Sequence, residues 1–463
     1  MSAPLTGVRV VDFSRVLAGP LCAQTLLELG AEVVKVEPPG GDLSRRAFPR
    51  EGEISGYYAQ QNAGKRNISI DLNAPGAREV ALRLCDRADV IVENFRPGTL
   101  PSFGLGYDTV AARNPHVVYA SISGYGQHGP WRSRSAYAPT VQAETGITAI
   151  TMDQFGTPGG RARTDALSHA DVYSGLHAAI AVLAALEHRN RTGEGQYVDV
   201  AMAAVMLSVN ERLHVDLSDR DLGAETPILG AADCPFFISP EGKTFVSPMS
   251  LVGSASFPRY LAAMRRPGLA DDPRFRTPEA RREHLDELHA IVQDWIWTFD
   301  DMASLDTQLD EAKIATGRLR TVGEFAGGRW AREWTAVRSV PDRDGGRITV
   351  PGPPWHFGAD GPGPPERVPA RQGEHNDDIL RELGFGEAEI GSLRRLGALV
   401  EPGRSDESGS DRADGDGRAH PREGSPARTN HDSVPGGVPG GVPGGVPRTR
   451  RSADDHETSP ERS

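Results

Sequence analysis

The sequence predicts an α/β protein that contains a parallel sheet and a second, smaller α+β domain. Over residues 1–125, short apolar runs alternate with stretches of helical periodicity. This alternation predicts parallel strands with helices on both faces of their sheet. It is lost at 205–250, where helical patterns begin to dominate, and the loss predicts a boundary between two domains.

The first strand, helix and second strand form one complete unit. Apolar residues at 8–13 predict a strand, which runs into the loop sequence SRVLAGP. A helical pattern starts at Pro20 and stops at Gly30, in keeping with the preference for proline in the first helical turn and glycine after the last. The second strand is Glu32–Glu37, which gives the unit about the usual ~30 residues.

The same alternation continues through the rest of this region. It predicts strands at Ile68–Leu72, Asp89–Glu93 and Val117–Ser123, with helices at 75–87 and 107–113 between them.

Later segments predict the remaining organisation of the chain. Helices are expected at 257–264, 279–298 and 300–311, and a helix–turn–helix pair at 375–397. We expect a large domain at 1–224 that is completed by 331–400, and a small domain at 225–330. Residues 401–463 contain no Phe, Trp, Tyr, Leu or Ile and include a VPGG repeat, so we predict a disordered tail.

Composition narrows the class of protein. The formal net charge of -12 argues against binding to nucleic acid or to anionic membrane surfaces. The N-terminal residues do not resemble a secretory signal, and we expect no stretch to reach the apolar length of a membrane span. These features predict a cytoplasmic protein with no membrane partner, in which any phosphate is held by a local site.

The loop SRVLAGP after the first strand is a candidate anion site. It leads into a helix N-terminus, where free N–H groups and the helix dipole favour a negative charge. The dinucleotide fingerprint G-x-G-x-x-G is absent, because Gly19 is the only glycine in this turn. A different nucleotide-containing ligand on a related sheet is therefore favoured over NAD.

Two further clusters lie beside predicted strands. Lys65 and Arg66 precede a strand and could clamp a phosphate, although a solvated basic turn has the same sequence. Asn94, Phe95 and Arg96 follow a strand, and an aromatic ring beside an arginine suits a purine and its phosphates. Either cluster alone is also compatible with an ordinary turn.

The segment 164–202 holds the candidate for covalent chemistry. Apolar residues mark the expected buried stripe of a helix: Leu176, Ile180, Leu183 and Leu186. A strand is expected at Tyr197–Met202. Asp171 lies at the start of the helix, where aspartate is also a common N-cap. Asp165 and His169 are nearby alternatives for an acid–base role.

Taken together, these segments resemble the class III CoA-transferases, also called the CaiB/BaiF family. The resemblance is carried by VDFSRVLAGP and the residues that follow it to 42, GKRNISIDL (64–72), VENFRPG (92–98), ISGYGQHGP (122–130) and the segment 171–200. LADDPRF (269–275) and GEHNDDILRELGF (373–385) extend it, so that it covers nearly all of 1–400 in order.

The resemblance implies a fold and a set of site residues. Family members have a large Rossmann-like domain made from both chain ends and a small domain, and two subunits interlock as a homodimer. The residues that fall where the family binds coenzyme A are Leu17, Ala18, Asn62, Lys65, Asn94, Phe95 and Arg96. Asp171 falls on the family's nucleophile. Coenzyme A is then a substrate, and no tightly bound cofactor and no metal are expected.

Some positions of this chain carry residues that differ from those of other enzymes in the family it resembles. Members of the formate/oxalate type carry cations where this chain has Pro38 and Ser135, and a run of glycines that is missing between 205 and 260. Ala138 replaces a common acidic residue.

The α-methylacyl-CoA racemases share the family's fold and offer an alternative function. They place a histidine where this chain has Tyr137, and they use a glutamate that the stretch 250–260 does not contain. Racemisation needs an acid and a base on opposite faces of the carbon, and with Asp171 alone it lacks its second group. The sequence therefore favours a CoA-transferase that moves coenzyme A from an acyl-CoA to a free carboxylic acid, through aspartyl anhydride and aspartyl-CoA intermediates. The alternatives are a racemase and a CoA-binding protein without catalysis.

Overall fold

The computed structural model describes residues 3–50, 52–155, 165–211, 213–217, 234–358 and 367–400; the predicted disordered tail lies outside these ranges. The strands are β1 Arg9–Asp12, β2 Glu32–Glu37, β3 Arg66–Ser69, β4 Val90–Glu93, β5 Val118–Ser123, β6 Gln196–Ala201, β7 Phe236–Ile238, β8 Thr244–Val246, β9 Gly317–Arg318, β10 Val337–Pro341 and β11 Arg347–Pro351. The α-helices are α1 Ala18–Glu28, α2 Gly56–Asn62, α3 Ala77–Asp86, α4 Thr99–Ser102, α5 Tyr107–Arg113, α6 Ala138–Glu144, α7 Ile147–Phe155, α8 His169–Thr192, α9 Met202–Ser208, α10 Leu213–Asp216, α11 Phe257–Met264, α12 Pro278–Glu283, α13 Leu285–Ile296, α14 Met302–Glu311, α15 Val322–Ala326, α16 Arg329–Trp334, α17 Asn376–Glu382 and α18 Glu387–Arg395.

Six parallel strands form the central sheet, in the order β3-β2-β1-β4-β5-β6. The predicted α/β class and its parallel sheet are therefore confirmed. The chain crosses from β3 back over β2 and β1 to β4, so the strand order reverses between β1 and β4. Doubly wound sheets bind ligands in the crevice at the carboxyl end of such a switch point.

Alternating residues of the strands face two separate cores, as the period of a strand requires. Val11, Ile91 and Tyr119 face a core that includes α3 and α5. Their neighbours Val10 and Val90 face the opposite core, which is built with α1, α8 and α9. The helices on both faces explain why these strands read as continuous apolar runs.

The C-terminal described segment returns to the sheet. The N–H of Asp71 donates to the carbonyl of Ala398 at 3.0 Å, and Ile70 forms an antiparallel bridge with Leu399. Apolar residues of α17 and α18 complete the core beneath α3 and α5. Residues 367–400 thus pack on the sheet that the N-terminal residues form.

A separate hydrophobic cluster forms around β7, β8, β9 and the helices α11, α13 and α14. Its buried members include Phe237, Tyr260, Phe275, Leu288 and Leu305. These elements fall within the range predicted for the small domain.

Some details differ from the sequence predictions. The third strand is Arg66–Ser69 rather than 68–72, because it pairs with β2 from Val34 onward. The single helix expected at 279–298 is two helices, α12 and α13, that meet at His284.

The buried stripe expected on α8 is also wrong in part. Leu176 is 38 % exposed and Ile180 is 62 % exposed. The residues that α8 buries are instead mostly small: Ala170, Ser174, Gly175, Ala178, Ala179, Val182, Ala185 and Leu186. Small side chains allow α8 to approach α1 and the sheet closely.

By length and composition α8 could also span a bilayer, contrary to the expectation for the sequence. Among the described residues it is the one such helix, and 44 % of its apolar window is buried against the rest of the protein. The core helix of a soluble protein can meet the same criteria of length and composition, so one such helix is weak evidence for a membrane span.

Candidate active site

The loops after β1 and β4 meet at the point where the strand order reverses. The side-chain amide of Asn94 accepts the N–H of Arg15 at 2.8 Å and donates to the carbonyl of Arg15 at 2.9 Å. The Arg15 guanidinium lies 5.3 Å from the centre of the Phe95 ring, a cation–π distance. Both loops are thus held together as one unit at the carboxyl edge of the sheet.

Leu17 and Ala18 form the start of α1 within this unit. Leu17 is the N-cap residue and Ala18 is the first helical residue; both side chains are buried. Gly19 is required here, because a Cβ at this position would lie 2.2 Å from Cβ of Ser14. The first N–H groups of α1 have no intrahelical acceptor, and Pro20 contributes none. The helix start is therefore suited to an anionic or polar ligand group.

The loop before α1 is strained at Val16. Its φ of 67° is in the left-handed region, which is unfavourable for a β-branched residue. The N–H of Val16 is held by the Asp42 carboxylate, at 3.2 and 3.3 Å from its two oxygens. The Ser14 carbonyl accepts a hydrogen bond from Lys35 at 2.8 Å. Side chains from elsewhere in the fold thus determine the path of this backbone.

Four buried charges lie beneath the loop. Lys35 is 3.0 Å from Asp42 and 3.9 Å from Asp12, and Lys65 is 2.8 Å from Asp12. Burial alone would raise the pKa of Asp12, but the two lysines lower it below its usual value. The cluster has two positive and two negative charges, so its members neutralise one another.

Lys65 therefore has a different position from the one expected. Its ammonium is buried and donates to Asp12, to the Pro20 carbonyl at 2.9 Å and to the Asn62 side chain at 3.0 Å. Burial lowers its pKa to about 8, a shift that the nearby Asp12 carboxylate opposes. All three donors are in use, so the expected direct contact with a phosphate is not available in this arrangement.

The other predicted residues of this site divide into buried and accessible groups. Asn62 is fully buried and links Lys65 to the Tyr58 carbonyl. Arg66, expected beside Lys65 as a second cation, forms a two-pronged salt bridge with Glu382. Arg96 is exposed and is the accessible cation of the predicted turn.

Asp171 is the third residue of α8, one turn before Gly175. The N-cap of α8 is Ser168, so Asp171 is not the N-cap that the alternative interpretation required. A Cβ at Gly175 would lie 2.5 Å from the carbonyl oxygen of Ala18. The glycine therefore allows the first turns of α8 to rest on the start of α1, one helical turn from Asp171.

The Asp171 carboxylate is half-buried and has no hydrogen-bond donor among the described residues. Burial raises its pKa to about 6. Burial also raises the pKa of Tyr57, and the neighbouring Asp171 carboxylate adds to that effect. Within the described ranges Asp171 is thus an acid without a counter-ion, close enough to the Tyr57 hydroxyl to affect its pKa, and a perturbed group of this kind is typical of functional sites.

The segment before α8 is held by Gln142, which sequence reasoning missed. Its side chain donates to Asp165 at 2.7 Å and accepts the N–H of Ala170 at 3.2 Å. His169 stacks on the ring of Tyr173 with centroids 5.8 Å apart. The two alternative acid–base residues, Asp165 and His169, therefore already have partners within the chain.

Glu93 is a second buried acid that the sequence did not single out. It ends β4, and its carboxylate accepts the N–H of Phe95 at 2.8 Å. Burial raises its pKa to about 7; hydrogen bonds from Ser121 and Phe95 oppose this shift, and Asp199 adds to it. A signal for such residues was present in the sequence, because charged residues inside a buried strand or at its end need a specific partner.

Positions that differ from related types lie at the surface, apart from Ala138. Pro38 and Ser135 are exposed, and the Pro38 carbonyl accepts a hydrogen bond from Gln372 at 2.9 Å. Tyr137 is 72 % exposed, and Ala138 begins α6 with its side chain buried. No cation stands at 38 or 135, so any phosphate contact near this edge has to come from other residues.

Comparison with known proteins identifies the family. A family model described as CoA-transferase family III matches residues 5–376. Succinyl-CoA–D-citramalate CoA-transferase of Chloroflexus aurantiacus is 32 % identical over 398 residues, which are 84 % of this chain and 97 % of that protein. Succinyl-CoA:mesaconate CoA-transferase of Haloarcula hispanica is 33 % identical over 398 residues, 82 % of this chain and 97 % of that protein.

A solved structure supports the same assignment. The crystal structure of a CaiB/BaiF family protein from Brucella suis matches with a TM-score of 0.68 and 29 % identity, over 83 % of this chain and 100 % of that chain. The family match spans the loops after β1 and β4, the first turn of α8 and the separate hydrophobic cluster formed around β7, β8 and β9. This chain therefore belongs to CoA-transferase family III and is a CoA-transferase of that type.

Proposed function

We propose that Asp171 is the nucleophile with which this enzyme moves coenzyme A from an acyl-CoA to a free carboxylic acid. The observation that carries the proposal is the position of its carboxylate, which is half-buried and lies one helical turn from the contact of α8 with the start of α1. In the part of the chain that the structure describes, this carboxylate has no counter-ion. With a pKa of about 6, the carboxylate is mostly ionised at pH 7 and attacks without an activating base.

The reaction proceeds through two kinds of covalent intermediate. A carboxylate oxygen of Asp171 bonds to the thioester carbon and the carbon–sulfur bond breaks. CoA departs as its thiolate, and Asp171 and the first acid are then joined as a mixed anhydride. The thiolate then attacks the aspartyl carbonyl, which forms aspartyl-CoA and releases the first acid as its carboxylate. A carboxylate oxygen of the second acid then attacks the aspartyl-CoA carbonyl, which expels CoA thiolate and forms a second mixed anhydride. The thiolate attacks the carbonyl carbon of the second acid, so that the product thioester forms and the Asp171 carboxylate is released.

These reaction steps replace one thioester by another without net gain or loss of protons. They place two demands on the site. Each tetrahedral intermediate needs oxyanion donors, for which backbone N–H groups in glycine-bearing loops are suited. Water has to be excluded, because hydrolysis of the anhydride would consume the thioester. Burial of Asp171 is consistent with the second demand.

The substrates we propose are acyl-CoA thioesters and short dicarboxylic acids. Two relatives are named as succinyl-CoA-dependent transferases for D-citramalate and mesaconate, and a third as succinate–glutarate CoA-transferase. Succinyl-CoA is therefore the donor to test first. A racemase is not favoured, because Tyr137 and Ala138 stand where racemases have a histidine and an acid.

We further propose a cytoplasmic homodimer in which each chain has a Rossmann-like large domain and a small domain at 225–330. Apolar side chains left exposed on α8 support the dimer: Tyr173, Leu176 and Ile180. A second exposed group lies on α15 and α16, where Trp330 stacks on Trp334 and packs at a tilt against Phe325. A second copy of the chain that covered these surfaces would remove them from water. Light scattering at micromolar concentration should give twice the chain mass, and an active monomer would contradict the dimer.

The decisive experiment is Asp171→Asn, assayed by mass spectrometry of products from succinyl-CoA and a panel of acids. Transfer should be lost with the fold intact, because an amide cannot form the anhydride. Hydroxylamine added during turnover should modify the peptide that contains Asp171 in the wild type. Asp310→Asn, an exposed acid on α14, is the matched control and should retain full turnover. Near wild-type turnover by Asp171→Asn would exclude this nucleophile.

A further inference from the structure

The backbone of the loop after β1 is held by side chains that come from β1, from β2 and from the loop after β4. Asp12 accepts the N–H of Ser14 at 3.0 Å, and Lys35 donates to the Ser14 carbonyl at 2.8 Å. Asn94 pairs with both polar groups of Arg15. The N–H of Val16 is held by Asp42.

Val16 is where this restraint opposes the backbone's own preference. A valine with φ of 67° is strained, because its branched Cβ crowds the neighbouring carbonyl. Strained residues persist where the surrounding structure over-determines them, and they cluster at ligand sites. In this loop Asp42 supplies the hydrogen bonds that oppose the strain, 3.2 and 3.3 Å from the Val16 nitrogen.

Asp42 is itself fixed from three directions. It is 2 % exposed, lies 3.0 Å from the Lys35 ammonium, and accepts the N–H and the hydroxyl of Ser44 at 2.9 and 2.7 Å. Burial alone would raise its pKa, but Lys35 and Ser44 lower the pKa below its usual value. The carboxylate is therefore ionised and immobile, and it presents its oxygens to Val16 in one geometry.

We propose that Asp42 is a positioning residue for coenzyme A: its buried carboxylate holds Val16 in the left-handed conformation and so directs the first-turn N–H groups of α1 toward the ligand. The proposal rests on the proposed function in that the ligand is coenzyme A. It assigns a role in the site to a residue that makes no contact with the ligand itself. Asp42 acts through the path of the backbone between β1 and α1.

The test separates the acceptor oxygen of Asp42 from its charge. In Asp42→Asn the side chain keeps an oxygen for Val16 but loses the charge paired with Lys35, so thermal stability should fall while the calorimetric affinity for free coenzyme A changes by less than about threefold. Asp42→Ala removes both, and its affinity should fall by about tenfold or more. An affinity that follows stability in the two variants, or that is unchanged in Asp42→Ala, would overturn the proposal.

A second residue provides an independent measurement. Glycine adopts positive φ without strain, so Val16→Gly should recover part of the affinity lost in Asp42→Ala. The double variant should bind coenzyme A at least about threefold more tightly than the two single effects predict when added. Simple additivity would overturn the proposal. Asp89→Asn, which removes a 2.8 Å ion pair with Arg189 at the amino edge of the sheet, is the control for loss of stability alone.

The result also separates this proposal from the proposed function. If the wild type binds coenzyme A but transfers it to no acid, the proposed function fails. The affinities of Asp42→Ala, Val16→Gly and the double variant for coenzyme A still test the role of Asp42. If the wild type transfers coenzyme A but the effects of Asp42→Ala and Val16→Gly on affinity are additive, only the proposed role of Asp42 fails and the proposed function stands.

Discussion

Replacement of Gly175 by alanine tests whether the contact between α8 and α1 sets the position of Asp171. A Cβ at residue 175 would lie 2.5 Å from the Ala18 carbonyl oxygen and 3.2 Å from Cβ of Leu21. The first obstacle is backbone, so it cannot rotate away. Since ordinary contact begins at 3.4 Å, the two elements have to separate by about 0.9 Å, the difference between 3.4 and 2.5 Å.

A displacement of that size has a kinetic consequence larger than its effect on stability. Misplacement of a reacting group by about 1 Å can lower a rate by about 100-fold. Overpacking of a core contact costs about 1–3 kcal/mol of folding free energy. We therefore expect Gly175→Ala to fold, to melt several degrees lower, and to show a kcat reduced by about 100-fold with saturating succinyl-CoA and acid.

The control is Gly391→Ala in α18, where the new Cβ would meet the Arg395 guanidinium at an ordinary 3.5 Å. It should leave kcat unchanged and raise stability by up to about 1 kcal/mol, because alanine is the better helix former. If Gly175→Ala keeps kcat within about threefold of the wild type, the contact does not set the position of the nucleophile.

Further predictions concern ionisation, the buried lysine and the tail. Because Asp171 has to be ionised and its pKa is about 6, kcat/KM for succinyl-CoA should rise tenfold per pH unit below about 6 and level off above it; a flat profile from pH 5 to 8 would contradict this. Asp171→Asn should be more stable than wild type by about 1–3 kcal/mol at pH 8 and by about half as much at pH 5, since the raised pKa makes ionisation unfavourable in the folded state as pH rises through 3.8 to 6. Lys65→Met should cost about 3–5 kcal/mol in urea unfolding, whereas lost CoA affinity at unchanged stability would restore the direct contact. Deletion of 401–463 should leave melting temperature and turnover unchanged; a large loss of either would contradict the expected disorder.

The sequence was sufficient for features that depend on local pattern. Apolar runs predicted the six strands of the central sheet, and helical periodicity predicted about half of the helices to within a few residues; strands β7–β11 and the shorter helices were not predicted. Asp171 could be singled out because its segment is long and resembles the family. Neither kind of signal depends on knowing which distant residues meet.

Features that depend on long-range contacts could not be predicted. Periodicity marked Leu176 and Ile180 as apolar but could not say that α8 buries its small residues instead. The charge of Lys65 suggested a phosphate ligand, whereas the fold turns it inward to Asp12, 53 positions earlier. Asp42 ends a segment that resembles the family, but its contact with a backbone position 26 residues away could not be predicted from that segment.

Two aspartates near the site, the buried Asp42 and the half-buried Asp171, illustrate how the fold divides structural from chemical roles. For both, burial favours the neutral acid. At Asp42 the Lys35 ammonium and the Ser44 hydrogen bonds reverse this effect, and its pKa falls. At Asp171 no such partner exists among the described residues, and its pKa rises. A carboxylate held by a cation has its lone pairs occupied and stabilises the backbone. A carboxylate left without one costs folding energy but keeps its electrons available for a carbonyl carbon, which is the property that a nucleophile requires.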